Sequence, residues 1–255
     1  MLLAPLLALG IGLLLGILGG GGSVLTLPLL TEHYGLDPRH AAATSLVVVC
    51  ATAAVGVVPH ALAGRVHWRT GTLFGVSGLV GGALGGAVGA RLPDTVLVGA
   101  FAVLMLVTAG LMLRPPPVPA PSARSSAGNL APRRALLAGL GVGSLAGMVG
   151  AGGGFLIVPA LTLLGGLPVE AAVGTSLLVI GLNTAGGALG YLSGLEIDLG
   201  LAARLSVVMV AGVVIGGRLT GRIPTPVLRR SFAVLIVLAT ALLLWHRMPL
   251  LTSVT

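Results

Sequence analysis

The chain repeats one glycine-broken hydrophobic unit twice, 131 residues apart. Gly19-Gly20-Gly21-Gly22-Ser23 returns as Gly150-Ala151-Gly152-Gly153-Gly154, Pro28 as Pro159, and Thr44-Ser45-Leu46 as Thr175-Ser176-Leu177. Aligned without a gap, residues 19–56 and 150–187 agree at 16 of 38 positions, and Arg91-Leu92-Pro93 falls on Arg222-Ile223-Pro224. The fold must therefore build one architecture twice, with the backbone broken at the same place in each copy. Paired units of this kind, with interrupted helices, are how many membrane carriers are constructed.

Composition sets the medium. Of 255 residues, 56% are hydrophobic and 8% charged, against roughly 25% charged in soluble domains. Such a chain cannot solvate its own surface, which predicts an all-α polytopic membrane protein. The formal charge of +8 does not indicate nucleic acid, because the 14 basic residues lie at the ends of apolar segments, where cytoplasmic loops of membrane proteins collect them. All 14 are arginine, which leaves no lysine for a Schiff base or a phosphate-binding loop. The single Cys50 lies in an apolar segment and excludes an internal disulfide or a multi-cysteine metal site. No cofactor and no metal are expected. No basic residue precedes Arg39, so the first apolar stretch reads as a membrane segment rather than a cleavable leader.

A helix needs roughly 20 apolar residues to cross the bilayer core. Segments of that length run at about 40–63, 70–90 and 95–113, and again at about 171–193, 201–221 and 226–246. Each copy opens on an uncharged stretch, 1–31 and 135–169, that is too long for one crossing. Consecutive glycines are poor helix formers, so the breaks divide each stretch into a longer and a shorter helix. Unpaired backbone at membrane depth survives only when buried in protein or lining a wet cavity, which turns the breaks inward. The expected organisation is a first transmembrane repeat over 1–113, a Pro/Ser/Ala-rich linker over 114–132, a second repeat over 133–247 and a tail over 248–255.

Arginine placement chooses the topology. If each copy crosses four times, the copies are parallel and the arginines divide 8 to 6 between the two sides. If each broken stretch is a hairpin, the copies are inverted and the division becomes 10 to 4, with only Arg39, Arg91, Arg204 and Arg247 on the minor side. The second division is the one the positive-inside rule favours, with both termini outside.

The breaks also suggest chemistry. Glycine-rich turns leave backbone N–H groups unpaired, and the following helix turns its positive dipole end toward them, which favours an anion. The N–H groups of Gly20, Gly21, Gly22 and Ser23, and of Ala151, Gly152, Gly153 and Gly154, are the candidate donors. A second pair of helices begins at Asp37-Pro38 and at Pro168, the first with a fitting N-cap and N1 proline. Thr44, Ser45, Thr175 and Ser176 lie about two turns inside them, where hydroxyls can meet an anion without a buried charge. Pro28 and Pro159 are expected to bend the short helices so that their ends converge. Asn183, opposite Thr52, serves either as interhelical glue or as a ligand contact. Glycine and hydroxyl residues also serve plain helix packing; their coincidence in both copies is what favours a binding site.

Other patterns carry less. Glu32, Asp37, Asp94, Glu170, Glu196 and Asp198 all fall at segment ends, whereas proton relays and cation sites place carboxylates inside the span. Glu32 and His33 read as an interfacial pair, and His60, opposite Tyr191, as an interface residue. Gly75-Val76-Ser77-Gly78 has the shape of an intramembrane protease nucleophile motif. Its only downstream histidine is His246, at a helix end, and its repeat counterpart of Ser77 is Val208.

The pattern Gly-x-Gly-Gly-Gly-x-x-x-x-Pro followed by an Ala-x-x-Thr-Ser-Leu segment, present twice over nearly the whole chain, resembles the TauE/SafE (TSUP) family of sulfite and organosulfonate exporters. The second copy carries it best, at Gly150, Gly152, Gly153, Gly154, Pro159 and Gly174-Thr175-Ser176; the first departs at Ser23 and Ala43. The resemblance implies transport of a small sulfur-containing anion across the bacterial inner membrane, with no enzymatic activity and with the lipid bilayer as the partner. An anion channel or a non-transporting membrane scaffold are the alternatives.

Overall fold

The computed structural model describes residues 3–20, 22–113, 132–150, 152–192, 195, 197–220 and the helical positions 227, 230, 231, 234, 237 and 238. Every element among them is helical. α1 (Leu3–Leu18) is followed by the short α2 (Ser23–Pro28) and a π turn (Leu29–His33), then α3 (Pro38–Leu62), α4 (Trp68–Gly89) and α5 (Asp94–Leu113). The order then repeats as α6 (Pro132–Val149), α7 (Gly154–Leu163), α8 (Val169–Leu192) and α9 (Leu199–Leu219). α3, α4, α8 and α9 are each long and apolar enough to cross a membrane. This is an all-α polytopic membrane protein.

Local chemistry sets the helix starts. Asp37 caps α3 by accepting the His40 N–H at 3.3 Å, with Pro38 next to it in the first turn. Asp198 caps α9 by accepting the Leu201 N–H at 2.9 Å. Each satisfies an amide that has no intrahelical carbonyl. The breaks depend on glycine for a different reason. Gly19 and Gly150 close the preceding helices at φ +71° and +74°, a backbone region that side chains disfavour.

The helices pack through glycine faces. α4 turns Val76, Val80, Leu84 and Val88 outward, each at least half exposed, as a lipid-facing stripe. Its opposite face carries Gly78, Gly82 and Gly86, which lie against Gly143 and Gly147 of α6 and Gly187 of α8. Without a hydrophobic force between helices in lipid, close backbone approach supplies the attraction.

The neighbours show each helix's direction. Along α4 and α8, Gly71 meets Thr175, Gly75 meets Leu182 and Gly82 meets Gly187, so the two run parallel. Gly139, Gly143 and Gly147 of α6 meet Phe74, Gly78 and Gly82 in the same sense. In the other set, Gly12 and Gly16 of α1 meet Met209 and Val213 of α9, and Gly217 of α9 meets His60 of α3. The bundle is thus two parallel triplets, α1/α3/α9 and α4/α6/α8. Each borrows one helix from the opposite half. Where they meet, Leu46 faces Gly187, Cys50 faces Gly181 and Gly56 faces Leu177, so α3 and α8 run antiparallel.

Candidate functional site

Each glycine break lies against the other half. A Cβ on Gly19 would strike Ser176 Oγ and Val173 of α8, while one on Gly150 would strike Ala42 of α3, the counterpart of Val173. Between them the two breaks touch directly, for a Cβ on Gly20 would land on the Gly154 backbone and one on Gly154 on Gly20. Gly152, at φ +68°, faces Val49 of α3, Thr184 of α8 and Ser23 of α2. Gly153 holds φ +65° as the N-cap of α7, and Gly22 rests on Ile11 and Leu15 of α1. The starts of α2 and α7 therefore meet at one buried junction; the Leu25 amide already turns to the Gly22 carbonyl, and the Leu156 and Ile157 amides to that of Gly153. Gly21 and Ala151 lie outside the described residues.

The Thr-Ser pairs divide rather than acting together. Thr175 Oγ1 accepts the His67 N–H at 2.9 Å, which ties it to the α3–α4 loop. Ser176 points at the first break and donates to its own helix at Val173 O, 2.8 Å away. Thr44 and Ser45 are both buried. Ser45 lies between Ala42 and Val49 on the face that packs against the second break, and its hydroxyl has no hydrogen-bond partner. Ser23 turns back to close its own break, donating to Gly20 O at 2.8 Å.

Asn183 is 1% exposed, and neither end of its amide is paired. Its Oδ1 fills the volume left by the missing Cβ of Gly78. Its counterpart Thr52 is satisfied, donating to Val48 O at 2.7 Å. The two prolines behave differently from one another. Pro28 ends α2 and is followed by the π turn, whereas Pro159 sits within α7, which continues to Leu163.

His60, in the last turn of α3, is fully buried within the protein. Its Nε2–H donates to Gly16 O at 3.0 Å, and the Thr220 hydroxyl donates to the same carbonyl, also at 3.0 Å. The counterpart of His60, Tyr191, donates to Met148 O at 2.7 Å. Both residues thus pin the last turn of the helix that leads into a break, a role their positions at helix ends did not reveal. Glu32 and His33 are exposed on the π turn. Ser77 bonds its own helix at Leu73 O and Phe74 O, both 3.1 Å away. His246 lies outside the described residues.

The described residues contain no group of three or more His, Cys, Asp or Glu side chains able to hold a metal ion. Their buried polar side chains are hydroxyls, one amide and one imidazole, with no carboxylate. The junction can offer buried hydroxyls and helix starts.

Comparison with known proteins agrees with this architecture. The family model described as "Sulfite exporter TauE/SafE" matches residues 4–243. A "Probable membrane transporter protein" of Xylella fastidiosa (strain 9a5c) is 33% identical over 240 residues, covering 92% of each chain. The "Probable membrane transporter protein YdhB" of Bacillus subtilis (strain 168) is 27% identical over 236 residues, 92% of this chain and 96% of that one. The "Probable membrane transporter protein MJ0441" of Methanocaldococcus jannaschii is 31% identical over 203 residues, covering 76% and 74% respectively. No solved structure matches the chain significantly.

Proposed function

This chain belongs to the TauE/SafE sulfite exporter family, and on that premise we propose that it carries a small sulfur-containing anion, such as sulfite or an organosulfonate, across a bacterial inner membrane. The observation that carries this reading is the backbone contact of Gly20 with Gly154. It brings the starts of α2 and α7 to one point in the core, where the positive ends of helix dipoles favour negative charge.

The two halves act as inverted repeats. Cys50 beside its counterpart Gly181, and the antiparallel run of α3 against α8, support a two-fold axis lying in the membrane plane. Each triplet then moves as a unit against the other about the shared junction, which exposes the anion to one side at a time. With no carboxylate among the described buried side chains, membrane potential or protonation of the anion itself drives the cycle.

Flux of sulfur-labelled sulfite into proteoliposomes tests the proposal. Saturable flux that needs the intact protein is the expected result. A folded protein that moves neither sulfite, nor thiosulfate, nor an organosulfonate would leave the family fold in place and reject this function.

A further inference from the structure

The loop between α3 and α4 is fastened to the start of α8. The Arg65 N–H donates to His60 O at 2.9 Å, and the His67 N–H donates to Thr175 Oγ1 at 2.9 Å. A Cβ on Gly174 would come within 2.6 Å of Arg65 O and 3.1 Å of the His60 Cβ. Two residues further along α8, the Ser176 hydroxyl meets the first glycine break at Gly19. One turn of α8 thus connects this loop with the junction of the breaks.

Arg65 differs from the other arginines in what its side chain finds. Arg39 pairs with Asp94 at 3.0 Å, Arg91 donates to Ala87 O at 3.3 Å and Arg204 to Gly200 O at 3.2 Å. Arg65 Nη1 is buried and has no hydrogen-bond partner, a condition no other arginine nitrogen shares among the described residues. No described carboxylate pairs with it, and Glu170, one turn before Gly174, is engaged in an interaction of its own. The Arg65 charge acts on the fully buried His60 ring, so the guanidinium is turned into the bundle. The positive-inside rule explains an arginine in this loop, but not one with an enclosed, unpaired N–H. A cation taken out of water without a counter-charge is costly. The partner it lacks is an anion.

The second half has no such group. α4 starts at Trp68 and α9 at Leu199, 131 residues apart, so Arg65 corresponds to Glu196 and His67 to Asp198. Because α3 and α8 run antiparallel, their last turns lie at opposite ends of the bundle. The loop after α3 is basic and its counterpart after α8 is acidic.

We propose that Arg65 is a substrate-contacting residue, whose inward-turned guanidinium forms a capture site for a small oxyanion at the α3–α4 loop, apart from the junction of the glycine breaks. The assignment rests on the transport reading above and adds where the anion is first held and at which end. An oxyanion can accept two N–H bonds from one guanidinium, a geometry that lysine lacks. The acidic counterpart loop repels the same anion, which makes capture one-sided. A phospholipid headgroup offers the same oxyanion chemistry, and the test separates it from a free anion.

The test uses purified full-length protein in lipid-free detergent, melted with and without sulfite, beside Arg65→Met, Arg65→Lys and Arg69→Met. Arg69, exposed in the first turn of α4, controls for surface charge. Sulfite should raise the Tm of the unaltered and Arg69→Met proteins alike. Arg65→Met should need about tenfold more sulfite for the same shift, as expected for a lost hydrogen bond to a charged group, with Arg65→Lys in between. Without sulfite, Arg65→Met should melt no lower than the unaltered protein, because the buried nitrogen bonds no protein group; a fall would make the guanidinium structural. An equal sulfite response from Arg65→Met, or an equal loss in Arg69→Met, would overturn the site. A Tm rise with phosphatidylglycerol but not with sulfite, lost in Arg65→Met, would give the guanidinium to a lipid and overturn it too. Proteoliposome flux keeps the two readings apart: sulfite flux with unchanged half-saturation in Arg65→Met rejects the site alone, and Arg65-dependent sulfite binding without flux rejects transport alone.

Discussion

The Cys50 thiol donates to the carbonyl of Gly181 across 3.5 Å, and residue 181 occupies in the second half the place that 50 occupies in the first. On the proposed inverted-repeat arrangement, a residue in contact with its own counterpart would lie on the axis relating the two halves. Through this point α3 and α8 cross antiparallel, and the glycine breaks approach from either side of it. On that proposal the axis would pass through a thiol and a glycine and relate backbone path rather than chemistry.

A Cβ at Gly181 would have no neighbour nearer than 3.9 Å, at the Ala54 nitrogen. Gly181→Ala should therefore raise stability by about 0.5–1 kcal/mol, the usual gain for replacing a mid-helix glycine. Thermal melting in detergent reads it. A fall in Tm would mean that α3 and α8 approach more closely than described.

Gly20→Ala and Gly154→Ala should each be severe, because the added carbon would overlap the backbone of the opposing break. Backbone cannot step aside as a flexible side chain can, and overpacking typically costs about 1–3 kcal/mol or more. The expected outcome is a lowered Tm together with loss of flux. Normal melting and normal flux in both variants would separate the two breaks.

Tyr191→Phe removes the 2.7 Å hydrogen bond to the Met148 carbonyl at a fully buried position. The orphaned carbonyl should cost about 1–3 kcal/mol. Thermal melting measures it, and a loss well below that range would mean another donor takes over.

Asp37 gives a pH dependence at the membrane surface. Partial burial raises its proton affinity, but the His40 amide, ring and charge outweigh that and hold the carboxyl below its ordinary value of 3.8. A depressed folded value adds stability that is present above the unfolded value and lost as pH falls through the folded one. Asp37→Ala should thus cost about 1 kcal/mol near neutral pH, as for a lost N-cap, and the difference should shrink below about pH 4. A difference independent of pH would mean that the carboxylate charge plays no part in the cap.

The proposed inverted repeats, with both termini outside, would place the 114–132 linker on the arginine-rich cytoplasmic side. A reporter inserted in the linker should report the cytoplasm, and one fused at the C-terminus the outside. The opposite pattern would reverse the orientation.

Much of the fold could be read from residues in line. Hydrophobic length predicted α3, α4, α8 and α9 to within a few residues, and the glycine runs marked both breaks. Asp37-Pro38 placed the start of α3, where the cap and the fixed φ of proline act locally. Composition alone required a membrane protein, since 8% charge cannot cover a soluble surface. These properties depend on the chain's own neighbours, so one dimension suffices.

Which half each break meets, and which hydroxyls stay free, only the tertiary structure decided. Thr44-Ser45 and Thr175-Ser176 are identical in sequence, yet Ser176 donates to Val173 O while Ser45 has no partner. Thr26 sits in an apolar run, and only packing shows that its hydroxyl is buried without a partner. His60, at the end of α3, is buried because α1 and α9 close over it. Hydrogen-bond satisfaction depends on rotamers and on carbonyls brought from helices more than a hundred residues away. The repeat specifies that two similar surfaces exist, and packing between the halves decides which polar groups are left unpaired.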